Sequence, residues 1–248
     1  MHVVLLHGFA QTGATWRRVV DIVHDTAPDL RLHTPTLPGH GAVPTPALTV
    51  ERAAESLAGF AAGIPAAIWV GYSMGARHAL RVALDHPHKV AALVTIGATP
   101  GLPEADERAA RQQLDEATAR EIESVGTEAF LARWVTQPLF GGVEDQPIAQ
   151  RAANGTAAGW ASSLRRAGTG VMEPMWRRLP EVAVPCRFLA GEHDDKFARI
   201  AHDMAALVAP ARAELVAGAF HNAHASNPAL VAAGIVELAR STGHAATG

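Results

Sequence analysis

The sequence predicts an α/β domain: a mostly parallel sheet with helices on both faces, and a helical insertion placed before its late strands. Three observations lead there. Short apolar runs at 3–6, 66–70, 90–96 and 184–190 alternate with stretches of helical spacing. The run at 66–70 is continuously apolar, as a parallel strand covered on both faces must be, and 90–96 reads as another buried strand. From 102 to 179 no strand pattern intervenes, and polar, charged segments of helical spacing take over.

Each element follows from local signals. Residues 3–6 form the first strand and end in His7-Gly8-Phe9, with a helix expected over about 16–24. A second strand at 30–34 runs into Pro35 and the turn-rich Pro38-Gly39-His40-Gly41. An alanine-rich helix spans 50–62, strand 66–70 follows, and helix 73–85 stops before Pro87. After strand 90–96 the charged stretch 104–124 is helical, and shorter helical pieces come after it. Strands return at 184–190 and 213–216, with helices inside 192–208 and 227–240 and a frayed tail at 241–248. We therefore expect a core domain from 1–98 and 180–248, and a cap at 99–179. The chain starts almost at its first strand and leaves little room for a preceding hairpin, so about six strands are expected.

Composition narrows the function classes. With 248 residues, 48% of them hydrophobic and 18% charged, one α/β domain with an inserted subdomain can build a large core. A net charge of −3 argues against a nucleic-acid partner. The single cysteine, Cys186, lies in an apolar run and allows no internal disulfide. Only two of the basic side chains, Lys89 and Lys196, are lysines. The opening residues do not read as a signal peptide and no apolar run is long enough to span a bilayer, so no membrane span and a cytoplasmic location are expected.

The chemistry centres on Gly71-Tyr72-Ser73-Met74-Gly75. This Gly-x-Ser-x-Gly pattern sits between a buried strand and a helix, where a sharp turn lifts a serine hydroxyl above the sheet; that is the α/β-hydrolase arrangement. A serine needs a base, and the base an orienting acid, in the chain order Ser, acid, His. Gly191-Glu192-His193-Asp194-Asp195 follows a late strand; Asp194 is favoured as the acid, with Asp195 the alternative. Phe220-His221-Asn222-Ala223-His224 follows the last strand; His221 is favoured as the base, with His224 the alternative. Backbone amides of Met74 and Phe9 would form the oxyanion hole, and His7 reads as structural. Arg77, one helical turn after Ser73, favours an anionic substrate. The insertion adds Arg108, Arg111, Arg120, Arg133 and Arg151; most read as surface charges on amphipathic helices, and spacing alone does not pick out the functional ones.

Together these residues resemble the MenH family, the 2-succinyl-6-hydroxy-2,4-cyclohexadiene-1-carboxylate (SHCHC) synthases of menaquinone biosynthesis. The likeness runs almost end to end. It covers Leu6-His7-Gly8-Phe9, Trp16, Pro38-Gly39-His40-Gly41, the elbow with Arg77, Pro100-Gly101-Leu102, Arg111, and Trp134 before Pro138-Leu139-Phe140. It continues through Arg151, Gly168-Thr169-Gly170, Asp194-Asp195-Lys196-Phe197 and His221-Asn222-Ala223-His224. The resemblance implies a carbon–oxygen lyase that eliminates pyruvate from the MenD product (SEPHCHC). Proton abstraction beside the succinyl carbonyl begins the reaction, with no metal and no organic cofactor. It also implies a small substrate with several carboxylates, bound by Tyr72, Arg77, Arg111, Trp134, Arg151 and Lys196. A triad serine can act there as a general base, and an oxyanion hole can hold an enolate. Phe220 stands where the family usually has glycine, which bears on loop shape and pocket width, and Thr99 stands where relatives often carry histidine. The stretch 151–165 is one residue longer than in some relatives. The competing reading is a serine carboxylesterase or lactonase for a small anionic ester, using the same triad through an acyl-enzyme.

Overall fold

The computed structural model describes residues 1–42, 45–142 and 146–245, with the side chains of 243–245 left out. Among the described residues six strands form one sheet: β1 (His2–Leu6), β2 (Arg31–His33), β3 (Ala67–Tyr72), β4 (Val90–Ile96), β5 (Cys186–Gly191) and β6 (Ala211–Val216). Their order is β2-β1-β3-β4-β5-β6, and every pairing is parallel. The expected strand count and direction both hold. β6 begins two residues earlier than its sequence signal, because edge residues Arg212 and Glu214 interrupt the apolar run there.

Side chains of β1 alternate between two cores, as strand geometry requires. Val3 and Leu5 pack with Ile68, Val70 and Ile96 beneath α1 (Arg17–Thr26) and α9 (Pro228–Ala245). Val4 and Leu6 pack with Trp69, Leu93 and Phe188 beneath α2 (Val50–Phe60), α3 (Met74–Asp85) and a further helix after β5. Both faces are thus sealed, which is why Val3–Leu6 of β1 and the run 66–70 into β3 read as unbroken apolar stretches. Each fully buried aliphatic or aromatic side chain contributes about 1.5–3 kcal/mol.

Between β4 and β5 the chain holds only helices among the described residues. α4 (Ala105–Trp134) extends ten residues past the expected helix, with a break at Gly126, whose φ of 81° lies outside helical space. The short α5 (Ile148–Ala153) and α6 (Ala157–Ala167) follow. Ala119, Ile122, Phe130, Leu131, Trp160 and Leu164 form a separate apolar cluster, which also takes in Ala10 from the loop after β1. The helix after β5 is α7 (Asp195–Leu207), and the short α8 (Ala223–Ser226) precedes α9. α9 runs through 241–245, so that part of the tail is helical and not frayed; 246–248, the rest of that expectation, lie outside the described residues. No helix among the described residues is long and apolar enough to cross a membrane.

Candidate active site

The site lies at the carboxyl ends of the strands, beside the point where the strand order reverses between β1 and β3. At the end of β3 the backbone turns sharply. Ser73 takes φ 51° and ψ −107°, a left-handed conformation that a non-glycine residue keeps only when its surroundings enforce it. The flanking glycines make the turn possible. A Cβ on Gly75 would lie 2.2 Å from the Leu6 carbonyl oxygen, and one on Gly71 would lie 2.4 Å from the Gly75 oxygen. Ser73 N–H donates to the Ile96 carbonyl at 2.8 Å, which fixes the elbow to β4.

The other two expected triad positions converge on this serine. His221 Nδ1 donates to Asp194 Oδ2 at 2.7 Å, and the Ser73 hydroxyl donates to His221 Nε2 at 3.1 Å. Asp194 and His221 are both buried. Asp194 also caps α7, its Oδ1 accepting from Phe197 N–H at 3.4 Å, so one carboxylate serves both tasks. Asp195 is exposed in the first turn. His224 is buried elsewhere, with Nε2 2.8 Å from Thr15 Oγ1 and its ring 4.2 Å from Tyr72. The His221 ring is held by Phe197 at 4.4 Å and rests against Gly97.

A cavity of about 600 Å³ opens over Ser73. Phe9, Tyr72, Met74, Arg77, Arg111, Trp134, Arg151 and Lys196 all line it, so every sequence-selected binding position reaches this one space. Their surroundings differ. Arg77 Nη2 donates to Ala167 O at 2.9 Å, while its buried Nε has no hydrogen-bond partner among the described residues. Burial, with the Arg111 guanidinium adding to it, lowers the Arg77 pKa to about 10, so the group stays charged at neutral pH. Arg111 Nε donates to Asp115 Oδ1 at 2.8 Å. Asp115 is buried, and burial raises its pKa against the pull of Arg111. Lys196 is exposed, with Nζ 5.6 Å from the centre of the Phe197 ring. Trp134 stacks on Phe130 at 5.3 Å and meets the edge of Phe9. Arg151 is buried and donates to main-chain oxygens of Ala10 and Phe9.

The other three arginines singled out between β4 and β5 do not line the cavity. Arg120 pairs with Glu116, Arg133 with Glu121, and Arg108 donates to the carbonyls of Leu102 and Pro103. Phe220, the bulky departure, does not line the cavity. Its ring fills the space over Gly141 and meets His193 at 5.0 Å. Thr99 lines the cavity and accepts from Gly101 N–H through its hydroxyl at 3.2 Å. Sequence reasoning missed Asp115, although its four-residue spacing from Arg111 is a recognisable helical ion pair. It also missed Gly97, for which no local signal exists.

The family model described as the α/β hydrolase family matches residues 3–234. A Bacillus subtilis protein, named provisionally as a 2-succinyl-6-hydroxy-2,4-cyclohexadiene-1-carboxylate synthase, is 33% identical over 240 residues, covering 92% of this chain and 86% of that one. The enzyme of that name from Enterobacter sp. is 32% identical, covering 96% and 91%. The chain belongs to the SHCHC synthase family of α/β-hydrolases. Among solved structures, MenH from S. aureus superimposes with a TM-score of 0.89 at 28% identity, covering 98% of this chain and 94% of that one. A thermophilic esterase from Thermogutta terrifontis, solved with malate bound, gives 0.82 at 22% identity over 98% and 90%, a likeness of fold alone. This SHCHC synthase family member is thus an enzyme of the α/β-hydrolase superfamily.

Proposed function

We propose that the protein is an SHCHC synthase of menaquinone biosynthesis, eliminating pyruvate from SEPHCHC. The observation that carries this reading is a Ser73–His221–Asp194 relay opening into a pocket lined by Arg77, Arg111 and Arg151. A substrate with several carboxylates explains cations beside an active serine; a neutral ester would gain nothing from them. In this reading residues 99–179 are the cap that closes the pocket, and the enzyme acts in the cytoplasm.

Ser73 Oγ removes the proton next to the succinyl carbonyl as its own proton passes to His221 Nε2. The Asp194 carboxylate stabilises the imidazolium so formed. Charge developing on the carbonyl oxygen is met by the N–H groups of Phe9 and Met74. Met74 opens α3, so its N–H lacks an intrahelical acceptor and carries the positive end of the helix dipole. The electron pair then shifts through the ring double bond, the carbon–oxygen bond to the enolpyruvyl group breaks, and the enolate of pyruvate departs; it takes up a proton at carbon to become pyruvate, while the His221 imidazolium gives up its proton and the relay returns to its resting state. Tyr72, Trp134 and Lys196 complete the pocket around the ring and its carboxylates.

The test uses SEPHCHC made freshly with MenD, with pyruvate followed through lactate dehydrogenase. Purified protein should accelerate release far above the uncatalysed rate. Efficient cleavage of aryl esters without accelerated pyruvate release would instead identify a serine carboxylesterase or lactonase.

A further inference from the structure

The loop after β1 has its main chain held almost group by group. Gly8 N–H donates to Gln11 Oε1 at 3.1 Å. His7 Nε2 accepts from Leu37 N–H at 2.9 Å, so the proton sits on Nδ1, which donates to Gly8 O at 2.8 Å. Ala10 has a φ of 55°, a left-handed value costly for a residue with a Cβ, and is fully buried in the apolar cluster of the insertion. Arg151 reaches in from α5 of the same insertion. Its Nε donates to the Ala10 oxygen at 2.7 Å and its Nη2 to the Phe9 oxygen at 3.4 Å.

We propose that Arg151 is a positioning residue for the oxyanion hole: its guanidinium grips the Phe9 and Ala10 carbonyls and so aims the Phe9 N–H at Ser73. This rests on the reading of Phe9 as an oxyanion donor and gives Arg151 a task other than holding a substrate carboxylate. The planar fork suits it, because two donors fixed in one plane meet two successive carbonyls that a single ammonium cannot span. Strained backbone persists only where its surroundings over-determine it, and Arg151 supplies that constraint beside the reacting atoms. Two of its nitrogens, Nε and Nη2, are already engaged with main-chain oxygens. The insertion thereby contributes to the chemistry itself as well as to binding.

A neutral probe separates the two roles. Diethyl p-nitrophenyl phosphate carries no carboxylate, and its P=O oxygen must occupy the oxyanion hole. Ser73 Oγ bonds to phosphorus, p-nitrophenolate leaves, and the serine proton passes to His221. We expect Arg151→Met to slow this labelling about 100-fold, the scale of losing an aligned oxyanion donor. Arg151→Lys, which keeps the charge and one bond, should lose less and serves if the methionine variant does not fold. Arg120→Met, altering an exposed pair with Glu116, should label at the wild-type rate. In pyruvate release the Arg151 variants should lose kcat with little change in KM. Labelling of Arg151→Met within twofold of wild type, with a raised KM for SEPHCHC, would overturn the proposal and return Arg151 to the substrate. So would a wild-type protein that the probe does not label. Labelling that depends on Arg151 in an enzyme that releases no pyruvate would leave the proposal standing and remove the SHCHC synthase reading.

Discussion

Gly97→Ala should disable the site through His221 alone. Gly97 has a φ of 60°, and a Cβ built there would lie 2.6 Å from His221 Cε1 and 2.8 Å from Nδ1. Ordinary contact begins at 3.4 Å, so the ring would have to retreat by 0.8 Å. It has little room, because Phe197 lies 4.4 Å away and the ring also bridges Asp194 at 2.7 Å and Ser73 at 3.1 Å. Misplacing a reacting group by about 1 Å costs on the order of 100-fold in rate. The left-handed backbone adds about 1–2 kcal/mol against an L side chain, reduced by about 0.4–1 kcal/mol because alanine also stiffens the unfolded chain. The net expectation is a loss of roughly 1 kcal/mol in stability and about 100-fold in kcat/KM. Pyruvate release and urea unfolding measure the two. A folded Gly97→Ala protein retaining activity within threefold of wild type would refute the placement of His221 against this glycine as a condition of catalysis.

Two further outcomes follow from charge. Arg77→Met should lower kcat/KM for SEPHCHC by about 10- to 100-fold, the worth of a charge-assisted hydrogen bond, while Arg120→Met stays within twofold; equal losses would deny Arg77 its special place. Acid should destabilise the fold through buried neutral histidines. Burial lowers both His7 and His78 to about 4, well below the ordinary value of 6.5, and pushes His40 down too. The unfolded chain therefore binds more protons between pH 6.5 and 4; stability is full above 6.5 and falls as the pH drops through that window, by roughly 3 kcal/mol for each of the two histidines. Urea unfolding at pH 7 and 4.5 measures this, and His78→Gln should reduce the pH slope by about one proton. Stability that is flat across the window would contradict the burial of these rings in neutral form.

Much of the site was legible because its signals are local. Ser73 announces itself through the two glycines its turn requires, and Asp194 and His221 through their places after the last two strands. The strands were readable because both faces are sealed; β6 was short in the sequence because an edge strand tolerates Arg212 and Glu214. Pairings across long stretches of chain were not readable. Arg151 and Ala10 are far apart in sequence, so spacing could mark Arg151 only as one arginine among several between β4 and β5. Phe220 suggested a narrowed pocket, but the glycine that accommodates it, Gly141, belongs to the insertion. The continuation of α4 past Gly126 was obscured because glycine argues for an end where this chain makes only a break.

The central claim is that Ser73 takes a proton and forms no ester. It is tested most directly by following pyruvate release from SEPHCHC with wild-type and Ser73→Ala protein, with intact-mass measurement during turnover. Wild type should release pyruvate rapidly, the variant about 1,000-fold or more slowly, and the enzyme mass should stay unmodified throughout. A mass increase on Ser73 during turnover, or equal release by both proteins, would contradict it.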